Sequence, residues 1–256
     1  MAIVALMLVL LRPSGTQEEQ PAVEEDVFVD PFNWENLDRT DGRYRYVVDG
    51  QVKSRLGIDV SENQHDIDWN AVAADGIEFA MIRLGYRGAT VGDMYVDEYF
   101  EANLEGAKEA GIDCGVYFFS QAKTVDEAIA EANFVMGKLA GRKLEYPIAF
   151  DSEEAVMGTE EARTSGLDEE AMTAIAEAFC TSVEKAGYRT LVYGNVHDLS
   201  RYHYENMQAR DLWWAEYGVP SPTAQIDIVM WQYSNSGNVA GIETAVDMDI
   251  DLSGAL

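Results

Sequence analysis

The stretch Tyr146-Pro147-Ile148-Ala149-Phe150-Asp151-Ser152-Glu153-Glu154 decides the reading of this chain: an apolar run ends abruptly in carboxylates. Pro147 suits the first position of a strand, where a missing N–H costs least. Ile148 to Phe150 then read as a short buried strand. Asp151 and Glu153 stand two residues apart, so continued extended geometry sends both side chains from one face. Two carboxylates at the C-terminal end of a strand stand where parallel α/β folds carry their chemistry. By itself the stretch also reads as an acidic turn after a core strand. The flanking sequence has to decide.

Outward from it, strand-like and helix-like segments alternate. Leu56 to Val60, Phe79 to Leu84 and Cys114 to Phe119 precede it as strands. Thr190 to Gly194, Leu212 to Tyr217, Ile228 to Tyr233 and Ala245 to Ile250 follow it. Trp69 to Ala74, Val96 to Glu109, Thr124 to Leu139 and Leu167 to Ala186 read as helices. Thr124 and Glu127 have the spacing of a capping box. Asp168 is a candidate N-cap, and Gly111 and Gly187 are candidate stops. The alternation implies a parallel sheet. Eight strands between residues 56 and 256 predict an α/β fold: an irregular (β/α) TIM-like barrel with a helix-poor C-terminal third. A doubly wound open sheet is the alternative, but the glycine-rich nucleotide motifs are missing from the sequence.

The 256 residues are 47% hydrophobic, enough for a sizeable core, and carry 46 acidic against 18 basic residues, a formal charge of −28. Such a charge repels phosphate backbones, so no nucleic-acid partner is expected. Cys114 and Cys180 lack metal-ligand spacing and read as buried, unpaired thiols. His65, His197 and His203 form no spaced ligand cluster, so neither a metal site nor a cofactor is expected. Residues 1–12 contain the apolar run Ala2 to Leu11, too short to span a bilayer and suited to a signal peptide or the remnant of a membrane anchor. Residues 13–55 read as an acidic linker followed by an aromatic-bearing N-terminal extension. Residues 56–256 form the barrel domain. Export to the cell surface or beyond is expected, with a possible N-terminal tether and a monomeric state.

Carboxylates recur at the predicted strand ends. Asp59 follows the first strand, Asp151 and Glu153 the fourth, and Asp247 and Asp249 fall in the last. In a closed barrel the first and last strands are neighbours, so Asp59 and Asp247 can face Asp151 and Glu153 across the mouth. Repulsion among them raises at least one pKa. A protonated carboxyl beside an ionised one is the requirement of glycoside cleavage. Tyr86, Tyr117, Tyr193, Trp213, Tyr217 and Trp231 recur near the same rim. Each alone reads as core; together they suit a sugar groove. A metal site is the competing use of clustered carboxylates.

These residues carry a resemblance to the family 25 glycoside hydrolases, the Chalaropsis-type lysozymes or N-acetylmuramidases. The matching segments are GIDVSENQ (57–64), IDWNAV with GIEFAMIRLGYRG (67–88), AGIDCGVYFFSQA (110–122), YPIAFDSE (146–153), GYRTLVYGN (187–195), LWWAEY (212–217), WQYSNSGNVAGI (231–242) and VDMD (246–249). The resemblance implies hydrolysis of the β-1,4 bond between N-acetylmuramic acid and N-acetylglucosamine in peptidoglycan glycan strands. It implies Glu153 as general acid, Asp151 as its assistant, and Asp59 and Asp247 as the other site carboxylates. Tyr86, Tyr117, Tyr193, Trp213 and Gln232 are the substrate-binding candidates. Two departures stand out: the usual Asn of the last motif is Asp249, and Glu62-Asn63 replace an aromatic that many members carry. A non-catalytic peptidoglycan-binding module on the same barrel is the alternative function.

Overall fold

The computed structural model describes residues 28–154 and 163–256. The apolar leader and most of the acidic linker lie outside the described residues. The chain runs through three short strands, β1 (Leu37–Asp38), β2 (Arg45–Val48) and β3 (Gln51–Val52), which form a small antiparallel sheet. Then follow β4 (Arg55–Val60), α1 (Trp69–Ala74), β5 (Phe79–Arg87), β6 (Met94–Val96), α2 (Phe100–Glu109), β7 (Asp113–Phe119), α3 (Val125–Leu139) and β8 (Ile148–Asp151). The rest comprises α4 (Glu169–Lys185), β9 (Thr190–Gly194), α5 (Val196–Leu199), α6 (Tyr204–Gln208), β10 (Leu212–Ala215), β11 (Met230–Gly237) and β12 (Val246–Asp251).

Eight strands close on themselves in the order β4-β12-β11-β10-β9-β8-β7-β5, with β5 returning to β4. Neighbours run parallel except at β12, which is antiparallel to both β11 and β4. The irregular barrel with a helix-poor final third is therefore present, and its parallel sheet has one reversed strand. Helix termini follow the sequence cues where side chains can cap. Asp168 accepts the Ala171 N–H at 2.9 Å and opens α4. Thr124 accepts the Glu127 N–H, but the Glu127 carboxylate reaches back to Lys123 N–H at 2.9 Å, not to Thr124. The helix expected from Val96 starts only at Phe100. Met94–Val96 pair with β5 instead, and Asp97 caps the Tyr99 N–H at 2.9 Å.

Burial explains the positions of the helices. Met172, Ile175, Ala176, Phe179, Cys180 and Val183 recur at helical spacing and form the buried face of α4. Phe179 meets Phe150 of β8 at 5.1 Å between ring centroids. Where helices are missing between β10 and β12, the N-terminal extension covers the wall. Tyr44 stacks on Tyr233 at 4.0 Å and 8°, and Trp34 and Tyr44 pack on Trp231. Arg43 fastens this strap to Asp75 at 2.5 Å and to the Asn238 carbonyl at 3.0 Å. Trp231, expected among the rim aromatics, therefore lies in the outer wall, its indole N–H on the Glu216 carbonyl at 2.9 Å. Strand alternation sends it outward while Gln232 points in.

A second, smaller apolar cluster fills the barrel: Phe79, Met81, Tyr146, Ala149, Leu191, Trp213 and Met230. Gly57 faces this filling, and a Cβ there would lie 2.2 Å from Phe79 Cζ. Gly57→Ala is therefore expected to destabilise the fold by about 1–3 kcal/mol through overpacking. Urea denaturation of that variant and of the Gly57→Ala/Phe79→Leu pair checks this. A wild-type midpoint for the single variant would show that the filling relaxes freely.

Candidate active site

The C-terminal end of the parallel strands gathers the carboxylates. Ala149 and Asp151 are the inward residues of β8, while Ile148 and Phe150 face the helices. Asp151 is buried at the strand end, and the Glu153 carboxylate just beyond adds to the upward push on it. Asp247 lies opposite Asp59 in the β12–β4 register. This pairing depends on the reversal of β12: in a parallel last strand, so early a residue would sit at the far end of the barrel. Asp249, one inward position deeper, receives the Trp213 indole N–H at 2.8 Å.

A β-bulge shapes the opposite wall. The β5–β7 register slips between Arg83 and Gly85, so that Arg83 pairs with Tyr117 and Tyr86 pairs with Phe119. The slip lets both Arg83 and Tyr86 face the mouth although they stand three positions apart, a spacing that regular alternation sends to opposite faces. Arg83 donates to Asp97 at 2.7 Å, pairs with Glu62 at 3.0 Å, and lies 5.4 Å from the Tyr86 ring centroid. Tyr117 and Tyr193 stand edge-on over Trp213, at 6.1 and 4.6 Å. Trp213 is thus the buried floor beneath two tyrosines. Gln232 is also buried: its amide oxygen accepts from the Tyr193 hydroxyl at 2.9 Å and from Tyr217, and its amide nitrogen donates to Asp59 at 2.6 Å.

Electrostatics in this mouth favour protonated acids. Burial pushes Glu153 up to about 7, aided by the Asp198 and Asp247 charges. Burial likewise raises Asp247 to about 6, and holds Asp59, Asp151 and Asp249 well above the ordinary carboxylate range. Asp151 Oδ1 is buried with no N–H or O–H donor on it; a proton shared with Glu153 supplies one. All five groups have folded pKa values above their unfolded ones. Their contribution to stability is therefore complete below about pH 4 and is lost as pH rises through 6 to 7 and beyond. The melting temperature is expected to be higher at pH 5 than at pH 8. A calorimetric melt that is flat or reversed across that range would contradict the assignment of these shifts.

Several supporting residues gave no separate signal in the sequence. Asp198 on α5 is buried, caps Asn195 N–H at 3.3 Å, and adds its charge to Asp151 and Glu153. Gln121 donates to the Glu153 carbonyl at 3.1 Å. The Asp151 carbonyl accepts from Ser120 N–H at 2.7 Å, and the Ser120 hydroxyl donates to Glu131 at 2.6 Å. Arg83 had a visible cue: a cation inside an apolar strand, in phase with the inward Phe79 and Met81. Cys114 and Cys180 are buried and unpaired. Among the described residues, no group of three or more His, Cys, Asp or Glu side chains is arranged to hold a metal ion.

Fold and site together define a TIM-like α/β barrel with paired acids at the C-terminal ends of its strands. The chain belongs to the glycosyl hydrolases family 25, whose sequence model matches residues 58–242. It is 29% identical over 197 residues to the autolytic lysozyme of Clostridium acetobutylicum, covering 75% of this chain and 54% of that protein. It is 30% identical over 204 residues to lysozyme M1 of Streptomyces globisporus, covering 75% and 65% of the two chains. The chain thus spans about half to two thirds of the length of these relatives. A bacterial lysozyme from Streptomyces coelicolor superposes with a TM-score of 0.62 at 26% identity, over 76% of this chain and 90% of that one.

Proposed function

We propose that this protein is a muramidase that hydrolyses the β-1,4 bond between N-acetylmuramic acid and N-acetylglucosamine in peptidoglycan. The observation that carries the reading is buried Asp151 at the end of β8 with Glu153 two residues on at the barrel mouth, both carboxyls raised by burial. Glu153 is the proton donor: its proton passes to the glycosidic oxygen as the C1–O bond breaks. Asp151, left as a carboxylate, stabilises positive charge developing at the sugar, and water then adds at C1 and returns its proton to Glu153. Asp59 and Asp247 orient the sugar from the opposite side. Tyr86, Tyr117 and Tyr193 supply ring faces and edges along the groove, with Trp213 and Gln232 holding the tyrosines and Asp59 from below.

Action on peptidoglycan places the protein at or outside the cell surface, with residues 1–12 as export signal or tether. Among the described residues, no helix is long and apolar enough to cross a membrane. The test is a digest of purified peptidoglycan followed by borohydride reduction and mass spectrometry. New reducing ends on N-acetylmuramic acid are the expected result. Reducing ends on N-acetylglucosamine would keep the glycosidase class and overturn the bond. Wall binding without any released fragment would replace the enzyme by a binding module.

A further inference from the structure

Two further buried acids come from β4 and β12. Asp59 stands opposite Asp247, and Asp249, two residues further along β12, stands opposite Gly57. Asp59 and Asp249 are therefore diagonal neighbours on the inner face, a separation that side chains can bridge. Each has one oxygen on an N–H donor: Asp59 Oδ2 takes the Gln232 amide at 2.6 Å, and Asp249 Oδ1 takes the Trp213 indole at 2.8 Å. The two carboxyls act on each other, and Asp249 adds to the upward push on Asp59. As carboxylates neither can donate, and fully buried Asp249 Oδ2 is left with no donor at all.

We propose that Asp59 and Asp249 form a carboxyl–carboxylate pair that holds one proton inside the barrel, making Asp249 a positioning residue for Asp59. This rests on the muramidase reading for its consequence, but not for its existence. One proton between the two facing oxygens satisfies both groups, whereas two buried like charges in contact destabilise the fold. Gln232 is already committed: its oxygen takes the Tyr193 and Tyr217 hydroxyls, which turns its NH2 group toward Asp59. The proton is thereby directed to the Asp249 side of Asp59.

Among the described residues the cations on the flanking strands are engaged elsewhere: Arg55 on β4, opposite Asp251, pairs with Asp113 at 2.7 Å. Along β12 the neighbouring charged groups are Asp247 and Asp251, the latter accepting the Tyr146 hydroxyl at 2.6 Å. From β7 and β9 come the Tyr117 and Tyr193 phenols, and Tyr217 follows β10. Asp151 faces them from β8, and Tyr233 of β11 feels Asp249 through the wall. Arg83 on β5 is engaged by Asp97 and Glu62. Burial and this ring of acids raise both members of the pair well above the usual range. Asn at position 249 would hold Asp59 with a permanent N–H donor; Asp249 holds it with a proton that alkali removes.

Infrared difference spectra of the full chain test the pair without substrate. Wild type minus Asp249→Asn should show a carboxylic-acid C=O band at pH 7 that disappears at alkaline pH. Glu153→Gln should keep that band. Its absence from the wild-type spectrum, or its survival in Asp249→Asn, would overturn the proposal. Turnover gives the second readout: Asp249→Asn should exceed Asp249→Leu by about tenfold or more, because only Asn can donate to Asp59. Equal rates in the two variants would also overturn it. A protein that shows the band but releases no sugar would refute the enzymatic reading and leave the pair standing; activity without the band would do the reverse.

Discussion

Glu153→Gln should lower kcat on peptidoglycan by about 10³-fold, within the range that a positioned general acid contributes. Gln keeps the shape and can still bond Asp151, but it carries no transferable proton. The fold should survive, because the Glu153 side chain is only partly buried at the mouth and the Glu153 carbonyl keeps its Gln121 partner. Wild-type activity should fall on the alkaline side as Glu153 loses its proton near pH 7. The sign follows from the role: the protonated form is the active one, so activity is lost as pH rises through that value. Steady-state kinetics across pH 5 to 9, with circular dichroism of the variant, measure both. Turnover within a few-fold of wild type would remove Glu153 from the role.

The second large effect concerns stability. Arg87→Met should destabilise the protein by about 3–5 kcal/mol, the cost of stranding a buried charge. Arg87 donates to Glu131 at 2.6 Å, and its other nitrogens hold the Gly92 carbonyl at 2.7 Å and the Glu127 carbonyl at 3.1 Å. Glu131 is fully buried, and burial already raises it to about 7 against the pull of Ser120 and Arg87. A carboxyl raised on folding favours the folded state at low pH and loses that contribution as pH passes its folded value. Taking 4.5 as its ordinary value, Glu131 in the native protein costs about 3 kcal/mol well above pH 7. Without Arg87 its pKa rises further, so the deficit of Arg87→Met should widen from pH 5 to pH 8. Adding Glu131→Gln should return part of the loss. Urea titrations at both pH values decide; a deficit below about 1 kcal/mol at pH 8 would show that the pair is not what secures this corner.

That ion pair also shows where the sequence stops being readable. Arg87 and Glu131 are 44 residues apart and sit on a strand end and a helix, and nothing local in either segment points to the other. The same holds for Asp198, which looks like an ordinary helix-start residue until β9, the strand before its helix, is placed beside β8. The Asp151–Glu153 spacing, by contrast, was a local cue read from strand period, although β8 ends at Asp151 and Glu153 lies just beyond it. Caps at Thr124 and Asp168 were legible for the same reason: the donor and acceptor lie within one turn. Trp231 was misplaced among the rim aromatics because a strand buried on both faces shows no apolar-polar alternation to tell inside from outside.

Local chemistry, then, determined from the sequence alone the succession of the eight barrel strands and most of the helices between them, the parallel α/β class, and the acids near its strand ends. These depend on periodicity, capping and spacing, which act over a few residues. The reversal of β12 was decided only in three dimensions. So were the bulge that turns Tyr86 into the mouth, the strap that covers Trp231, and the meeting of Asp59 with Asp249. Each depends on which distant segments share a wall once the barrel closes, and on the burial that closure imposes on charges the sequence shows merely as acidic.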